Sequence, residues 1–223
     1  VAHAATFALP PPPRKPGAGA GAGLRAAGFG GLIGGMTTDD AGAEGAAVDV
    51  ELPLDEARAR ALRAGTLVRL SGVVYAARDA AHKRMAAALD RGEALPFDLR
   101  GAVIYYVGPS PGSEGRAVGS AGPTTSSRMD VYAPRLIALG LRGTIGKGER
   151  SAAVVGAMQR HGAVYFAATG GAGALLGRCV VSGEVVAYDD LGPEAVRRLV
   201  LRDFPAIVAI DAGGRSLYDR GPP

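Results

Sequence analysis

The sequence predicts an α/β domain that begins near Val48. Three observations carry this. Short apolar runs that read as strands alternate along the chain with short segments of helical spacing. Two of these runs, Ala102-Val103-Ile104-Tyr105-Tyr106-Val107 and Ala163-Val164-Tyr165-Phe166-Ala167-Ala168, are apolar throughout, as strands buried on both faces are. Motifs rich in glycine, hydroxyls and cations fall just after strands, where open α/β sheets place ligands.

In chain order, Val48, Val50 and Leu52 alternate with polar neighbours and predict a first strand. Asp55 to Arg63 reads as a short helix of alternating charge, ended by Gly65. Thr66 to Tyr75 is one strand, or two around a Ser71-Gly72 turn. Asp79 to Leu89 is a helix with an acid at its start, where the macrodipole favours one. The strand Ala102–Val107 follows, then a loop from Pro109 to Gly115. Val131 to Leu139 reads as a helix, with Pro134 confined to its first turn. Gly143 to Gly146 is a short strand leading into Lys147-Gly148. Ser151 to Arg160 is a helix with Ser151 as its N-cap, and Ala163 to Ala168 a strand that runs into Gly170-Gly171-Ala172-Gly173. Val180 to Tyr188 is a further strand, Pro193 to Leu199 a short helix and Ala206 to Ile210 the last strand.

Residues 1–47 are expected to form a disordered low-complexity extension. A proline run, alternating glycine and alanine, and a glycine-dense stretch bury too little apolar surface to offset ordering entropy. Met36-Thr37-Thr38-Asp39-Asp40 reads as a natural start, which makes residues 1–35 an upstream extension. The folded domain is expected over residues 48–223.

Composition excludes several classes. The 223 residues include 22 arginines and 3 lysines, with a net charge of +4, but the cations are scattered among acids and form no stripe with interleaved aromatics. Nucleic-acid binding is not expected. No apolar run approaches the roughly 18 residues that span a bilayer. The single cysteine, Cys179, cannot form an internal disulfide or hold an iron–sulfur cluster alone, and fits a reducing, cytoplasmic setting.

The richest motif is Gly122-Pro123-Thr124-Thr125-Ser126-Ser127-Arg128-Met129-Asp130. Its hydroxyls, backbone N–H groups and guanidinium at the head of a helix suit a carboxylate; serine and threonine also cap backbone amides in plain turns. Arg78 and His82 lie four apart at a helix start, so one can hold a carboxylate and the other exchange a proton, or both belong to a solvated basic helix end. Lys147 sits between two glycines in a strand-to-helix loop, as a ligand contact or a solvated lysine. The spacing around it is not that of a P-loop, because Gly148 follows the lysine. Gly170-Gly171-Ala172-Gly173 reads as tight backbone packing and Cys179 as a buried apolar residue. Three cations, two threonines and a histidine make half of an active site, with no paired nucleophile and no metal-ligand cluster.

Together these motifs carry a resemblance. Arg78-Asp79-Ala80-Ala81-His82-Lys83-Arg84, Gly108-Pro109-Ser110-Pro111, the Gly122–Asp130 stretch and Gly146-Lys147-Gly148 stand in the same order as in the β subunit, or C-terminal domain, of class I iron–sulfur fumarases. His161-Gly162-Ala163-Val164-Tyr165-Phe166 and Phe204-Pro205-Ala206-Ile207-Val208-Ala209-Ile210-Asp211 are also similar to that family. The resemblance implies a swivelling β/β/α domain and a β subunit of a hydro-lyase that reversibly hydrates fumarate to (S)-malate. L-tartrate dehydratase and a non-catalytic dicarboxylate-binding module are the alternatives, and the Gly-Pro-Ser-Pro loop and Ser-Ser-Arg-Met-Asp ending look more fumarase-like. It further implies a [4Fe-4S] cluster held by a partner α subunit, two αβ pairs, substrate contacts from Arg78, Arg128, Lys147 and Thr125, and catalytic roles for Thr124 and His82.

Overall fold

The computed structural model describes residues 46–113 and 115–219. The low-complexity extension expected at residues 1–47 lies outside them, apart from Ala46 and Ala47. The elements are β1 (Val48–Leu52), α1 (Glu56–Ala61), β2 (Leu67–Ala76), α2 (Asp79–Asp90), β3 (Val103–Tyr105), α3 (Ala133–Ala138), β4 (Gly143–Gly146), α4 (Ala152–His161), β5 (Val164–Ala167), α5 (Gly173–Arg178), β6 (Val180–Ala187) and β7 (Val196–Ile210), with 3-10 turns at Ser126–Met129 and Asp189–Glu194. The class is mixed α/β, with a sheet of mostly parallel strands.

Strands β1 to β5 run parallel in chain order, while β7 is antiparallel to both β5 and β2 and β6 pairs with β7. Strand β7 is long enough to serve two neighbours. Its residues from Arg197 to Ile207 face β2, and Ile207, Val208 and Ile210 face β5. Pairing therefore runs from β2 through β3, β4, β5 and β7 back to β2.

The apolar run around β3 explains its own burial. Val103, Tyr105 and Val107 point into one core with Leu70, Val74, Ile145, Phe166, Leu199 and Phe204. Ile104 and Tyr106 point into another with Met85, Met129, Leu136, Ile137, Val154 and Met158. Alternate residues of one strand thus supply two cores, and the second is roofed by α2, α3 and α4. Among the described residues no helix is long and apolar enough to cross a membrane.

One alternative is decided and two expectations are corrected. Of one strand or two over Thr66–Tyr75, the single strand holds: β2 is continuous, and its register against β7 shifts between Leu70 and Gly72. Opposite this bulge Asp203 takes φ 50°, and its amide donates to Ser71 Oγ at 3.0 Å. The Pro193–Leu199 helix is a 3-10 turn that ends at Glu194, followed by the start of β7. Val196 and Leu199 have helical spacing, but a full strand partner was available in β2, and the ladder wins over local periodicity. The helix expected over Val131–Leu139 splits into the 3-10 turn Ser126–Met129 and α3, with proline in the first turn of α3.

Gly72 has φ 119°, and a Cβ there would lie 2.4 Å from the Leu52 carbonyl oxygen of β1. Gly72→Ala is expected to lower unfolding stability by about 2–4 kcal/mol through strain and overpacking. Urea unfolding measures it, and an unchanged midpoint would show that β1 does not approach β2 this closely.

Candidate active site

The C-terminal ends of the parallel strands gather the motifs. Arg78 follows β2, Gly108 follows the β3 run, Lys147 follows β4 and Gly170 lies just past β5. The Gly122–Asp130 segment is laced onto this edge by backbone bonds. The Thr124 amide donates to the Tyr106 carbonyl at 2.8 Å, the Ser126 amide donates to the Lys147 carbonyl at 2.9 Å, and Thr125 pairs with Lys147 as an isolated parallel bridge. Thr124 is half-buried, while Thr125 and Lys147 are exposed. Thr125 precedes the 3-10 turn, yet its side chain makes no capping bond, so its hydroxyl is not spent on the turn. A Cβ on Gly170 would lie 3.6 Å from Lys147 Cδ, an ordinary contact, so Gly170 packs beside the lysine side chain.

The two arginines are joined through an acid. Arg128 ion-pairs with Asp79, Asp79 Oδ1 lies 3.9 Å from Arg78 Nε, and Arg78 Nη2 pairs with Glu194 at 3.3 Å. Glu194 also accepts the Ala80 amide at 3.3 Å. Gly108 makes room for this group, since a Cβ there would stand 3.2 Å from Arg78 Nη1 and 3.1 Å from the Pro193 carbonyl. Arg78, Arg128 and Lys147 against Asp79 and Glu194 leave one net positive charge. Each arginine keeps N–H donors beyond those its acid partners use.

Unsatisfied polar atoms concentrate here. Among the described residues, the buried side-chain atoms without a hydrogen-bond partner are Arg78 Nε, Asp79 Oδ1, His82 Nε2 and Arg197 Nε. A distance of 3.9 Å is too long for a hydrogen bond, which leaves Arg78 Nε and Asp79 Oδ1 both wanting. Native proteins keep such atoms few, and those at one place call for a functional reason.

His82 is sealed from solvent on α2, at 0% exposure. Its Nδ1 donates to the Arg78 carbonyl at 2.8 Å, and its ring meets Tyr106 edge-on at 5.4 Å. Burial, with the Arg150 charge adding to it, pushes its pKa down to about 4, against the hydrogen bond to Arg78. In this conformation His82 is a neutral ring that fixes the backbone carrying Arg78 rather than a group open to a ligand.

Behind the exposed wall lies a buried arginine that sequence reasoning missed. Arg150 has no exposed side-chain surface. Its Nε donates to Asp130 at 2.7 Å, Nη1 to Thr144 Oγ1 at 3.0 Å and Nη2 to the Tyr106 hydroxyl at 3.3 Å. The Tyr106 and Tyr165 rings flank it at 5.3 and 5.1 Å. The second Asp130 oxygen accepts the Ser151 amide at the start of α4, where the Ser151 side chain makes no capping bond. Tyr165 bonds Ser126 Oγ and donates to the Gly148 carbonyl, both at 2.9 Å. Glu194 was missed as well, hidden in the segment expected to be helical. The only sequence signal for Arg150 was its place beside Gly146-Lys147-Gly148, with Asp130 closing the hydroxyl motif.

The remaining motifs are structural. A Cβ on Gly173 would lie 2.4 Å from Ser120 Oγ, so that glycine permits close packing. Cys179 is half-buried, and burial raises its thiol pKa.

The histidine gives a pH signature. The unfolded chain protonates His82 below about 6.5, the folded chain only below about 4, so its contribution is complete above pH 6.5 and is lost as pH falls toward 4. Wild type should lose about 3 kcal/mol more than His82→Asn across that window. Equal slopes in chemical denaturation from pH 7 to 4 would show that the ring is not buried neutral.

Comparison with known proteins identifies the family. The Fumarase C-terminus family matches residues 35–221. Fumarate hydratase 2 of Leishmania major is 37% identical over 177 residues, covering 78% of this chain and 31% of that protein. Fumarate hydratase class I, aerobic, of Escherichia coli is 38% identical over 185 residues, covering 79% of this chain and 33% of that protein. The chain thus spans about a third of the length of these fumarate hydratases. It covers 84% of the "Putative L(+)-tartrate dehydratase subunit beta" of Methanocaldococcus jannaschii, at 39% identity over 164 residues and 71% of this chain. A sheet edge built from these motifs and matches of this extent have one conclusion: the chain belongs to the Fumarase C-terminus family.

Proposed function

We propose that this chain is the β subunit of a hydro-lyase that reversibly hydrates fumarate to (S)-malate, and that it works with an α subunit across a shared site. One observation supports the reading most. The cradle of Arg78, Arg128 and Lys147 against Asp79 and Glu194 carries one net positive charge, which balances half of a dicarboxylate. The other half of the compensation then comes from the partner. Exposed Thr125 and Lys147 fit a wall that a second protein closes. The two cores on either face of β3 to β5, one of them roofed by helices, support a domain of the swivelling β/β/α type.

In this reading Arg78, Arg128 and Lys147 bind the substrate carboxylates and orient the diacid, and Thr125 hydrogen-bonds to it. The same cations stabilise the negative charge that builds on the carboxylate when the adjacent C–H bond breaks. The Thr124 hydroxyl stands at the rim as the proton-transfer group. An unassisted threonine is a weak base, so an acid or base from the partner completes the transfer. His82 supports Arg78 from behind instead of exchanging protons. Among the described residues no three His, Cys, Asp or Glu side chains gather to hold a metal ion. In this reading the [4Fe-4S] cluster belongs to the α subunit, since the single cysteine of this chain is too few to ligate one.

A second reading, the β subunit of an L-tartrate dehydratase, is favoured by the near full-length match to the Methanocaldococcus protein. Diacids differing by a hydroxyl can be separated by a single polar contact.

Co-expression with a cluster-bearing α partner under anaerobic conditions tests the proposal by loss of fumarate absorbance. Arg128→Ala is expected to lower kcat/KM about 100-fold, and Thr124→Val to lower kcat with little change in KM. A complex that turns over only tartrate selects the second reading, and one that turns over neither acid overturns both.

A further inference from the structure

Arg78 and Arg128 share one acid, and only one oxygen of that acid is bonded. Asp79 Oδ2 pairs with Arg128, while Asp79 Oδ1 is buried and has no hydrogen-bond partner. Arg78 Nε lies 3.9 Å from that same Oδ1, and it too is buried and unpartnered. A carboxylate oxygen and a guanidinium N–H thus stand side by side, each a fit partner for the other, and do not bond. A turn of the Asp79 carboxylate that closes the gap by about 1 Å would satisfy both. Neither atom has to meet solvent or a ligand for this to happen.

The bond to Arg128 is what holds Asp79 away. Arg78 is anchored from another side, where Nη2 pairs with Glu194 at 3.3 Å and Glu194 also accepts the Ala80 amide at 3.3 Å. The Arg78 side chain is 24% exposed and the Arg128 side chain 50%. An ion pair that open to water has little net strength, because water competes for both partners. The Arg128 pair is therefore the one that gives way. An incoming carboxylate offers Arg128 the same oxygen chemistry that Asp79 now supplies.

We infer that Asp79 is a positioning residue that exchanges partners as a diacid binds. It covers Arg128 until a ligand carboxylate takes its place, then turns onto Arg78 Nε. Arg128 keeps a negative partner throughout. Arg78, braced by Glu194 on one side and Asp79 on the other, is fixed when the diacid is in place. Ligand binding at one arginine thereby orders the second. The inference rests on the proposed reading of the cradle as a dicarboxylate site, and does not depend on which diacid is turned over.

The test is nitrogen-resolved NMR of arginine Nε–H groups in the full chain, titrated with succinate, a four-carbon diacid with no double bond to hydrate. The Arg128 and Arg78 signals should shift together and saturate, Arg78 moving downfield as it gains a carboxylate acceptor. In Asp79→Ala the Arg128 signal should still respond and the Arg78 signal should not. Asp79→Asn keeps an oxygen for Arg78 Nε but loosens the hold on Arg128. It should bind succinate about 3-fold more tightly than wild type, and it guards against a folding defect in the alanine variant. The exchange is overturned if Arg128 shifts while Arg78 stays fixed, or if Arg78 responds equally in Asp79→Ala. It is also overturned if Asp79→Asn does not bind more tightly, as expected of a residue that only braces Arg128. These three results leave the hydro-lyase reading standing. If Arg128 itself does not respond to succinate, the exchange falls together with the cradle as a carboxylate site, while fumarate turnover by the complex decides the hydro-lyase reading separately.

Discussion

The ion pair between Arg150 and Asp130 holds the candidate site together. Arg150 is fully buried, so its charge is tolerable only because Asp130, Thr144, Tyr106 and the two tyrosine rings surround it. Removing one partner of such a pair leaves an uncompensated buried charge, at a cost of about 3–5 kcal/mol. The pair ties the turn that presents Thr124 to Arg128 to a segment that follows in the chain, running from the end of β4 with Lys147 to the start of α4. Tyr165 adds a second tie between the same pieces through Ser126 and Gly148. Gly146 completes the fit, since a Cβ there would fall 2.0 Å from Ser126 Oγ. The groups facing a ligand are exposed and flexible by type; what fixes them is the polar network underneath.

The same distinction explains what could be read from the chain. Ala102–Val107 and Ala163–Ala168 declared themselves as strands because both faces of each are buried, so every residue carries the signal. The start of β7 did not, because Val196 and Leu199 have the spacing of a helix and only the long pairing with β2 decides otherwise. Ser71-Gly72 has turn chemistry, yet the positive φ of Gly72 serves a bulge and the close approach of β1. At the site, Thr124, Thr125, Arg128 and Lys147 stood out by their company of glycines and hydroxyls, and Arg78 by its spacing to His82 at a helix start. Arg150 and Glu194 did not, since one arginine among many looks like any other until its burial and partners are known. His82 was legible as a residue of interest, but not its burial behind the backbone of Arg78.

The accounting of charge and hydrogen bonds gives the site its incomplete character. The acids that orient Arg78 and Arg128 cancel most of the cationic charge, and the polar atoms left over cluster where α2 begins and β7 passes it. A site finished within this chain would enclose its ligand. An open edge with an exposed lysine and threonine is what a chain contributes when another surface must supply the remainder, and this is the physical content of the two-subunit proposal.

The most direct measurement of this account is amide hydrogen exchange in Asp130→Asn. If the buried pair anchors the site, the Thr124 and Ser126 amides, which bond across to Tyr106 and Lys147, should lose protection by about 100-fold relative to core amides such as Ile104, in keeping with a local loss of roughly 3 kcal/mol. If Thr124 and Ser126 keep the same protection relative to Ile104 as in the wild type, the Arg150–Asp130 pair is not what holds the cradle in place.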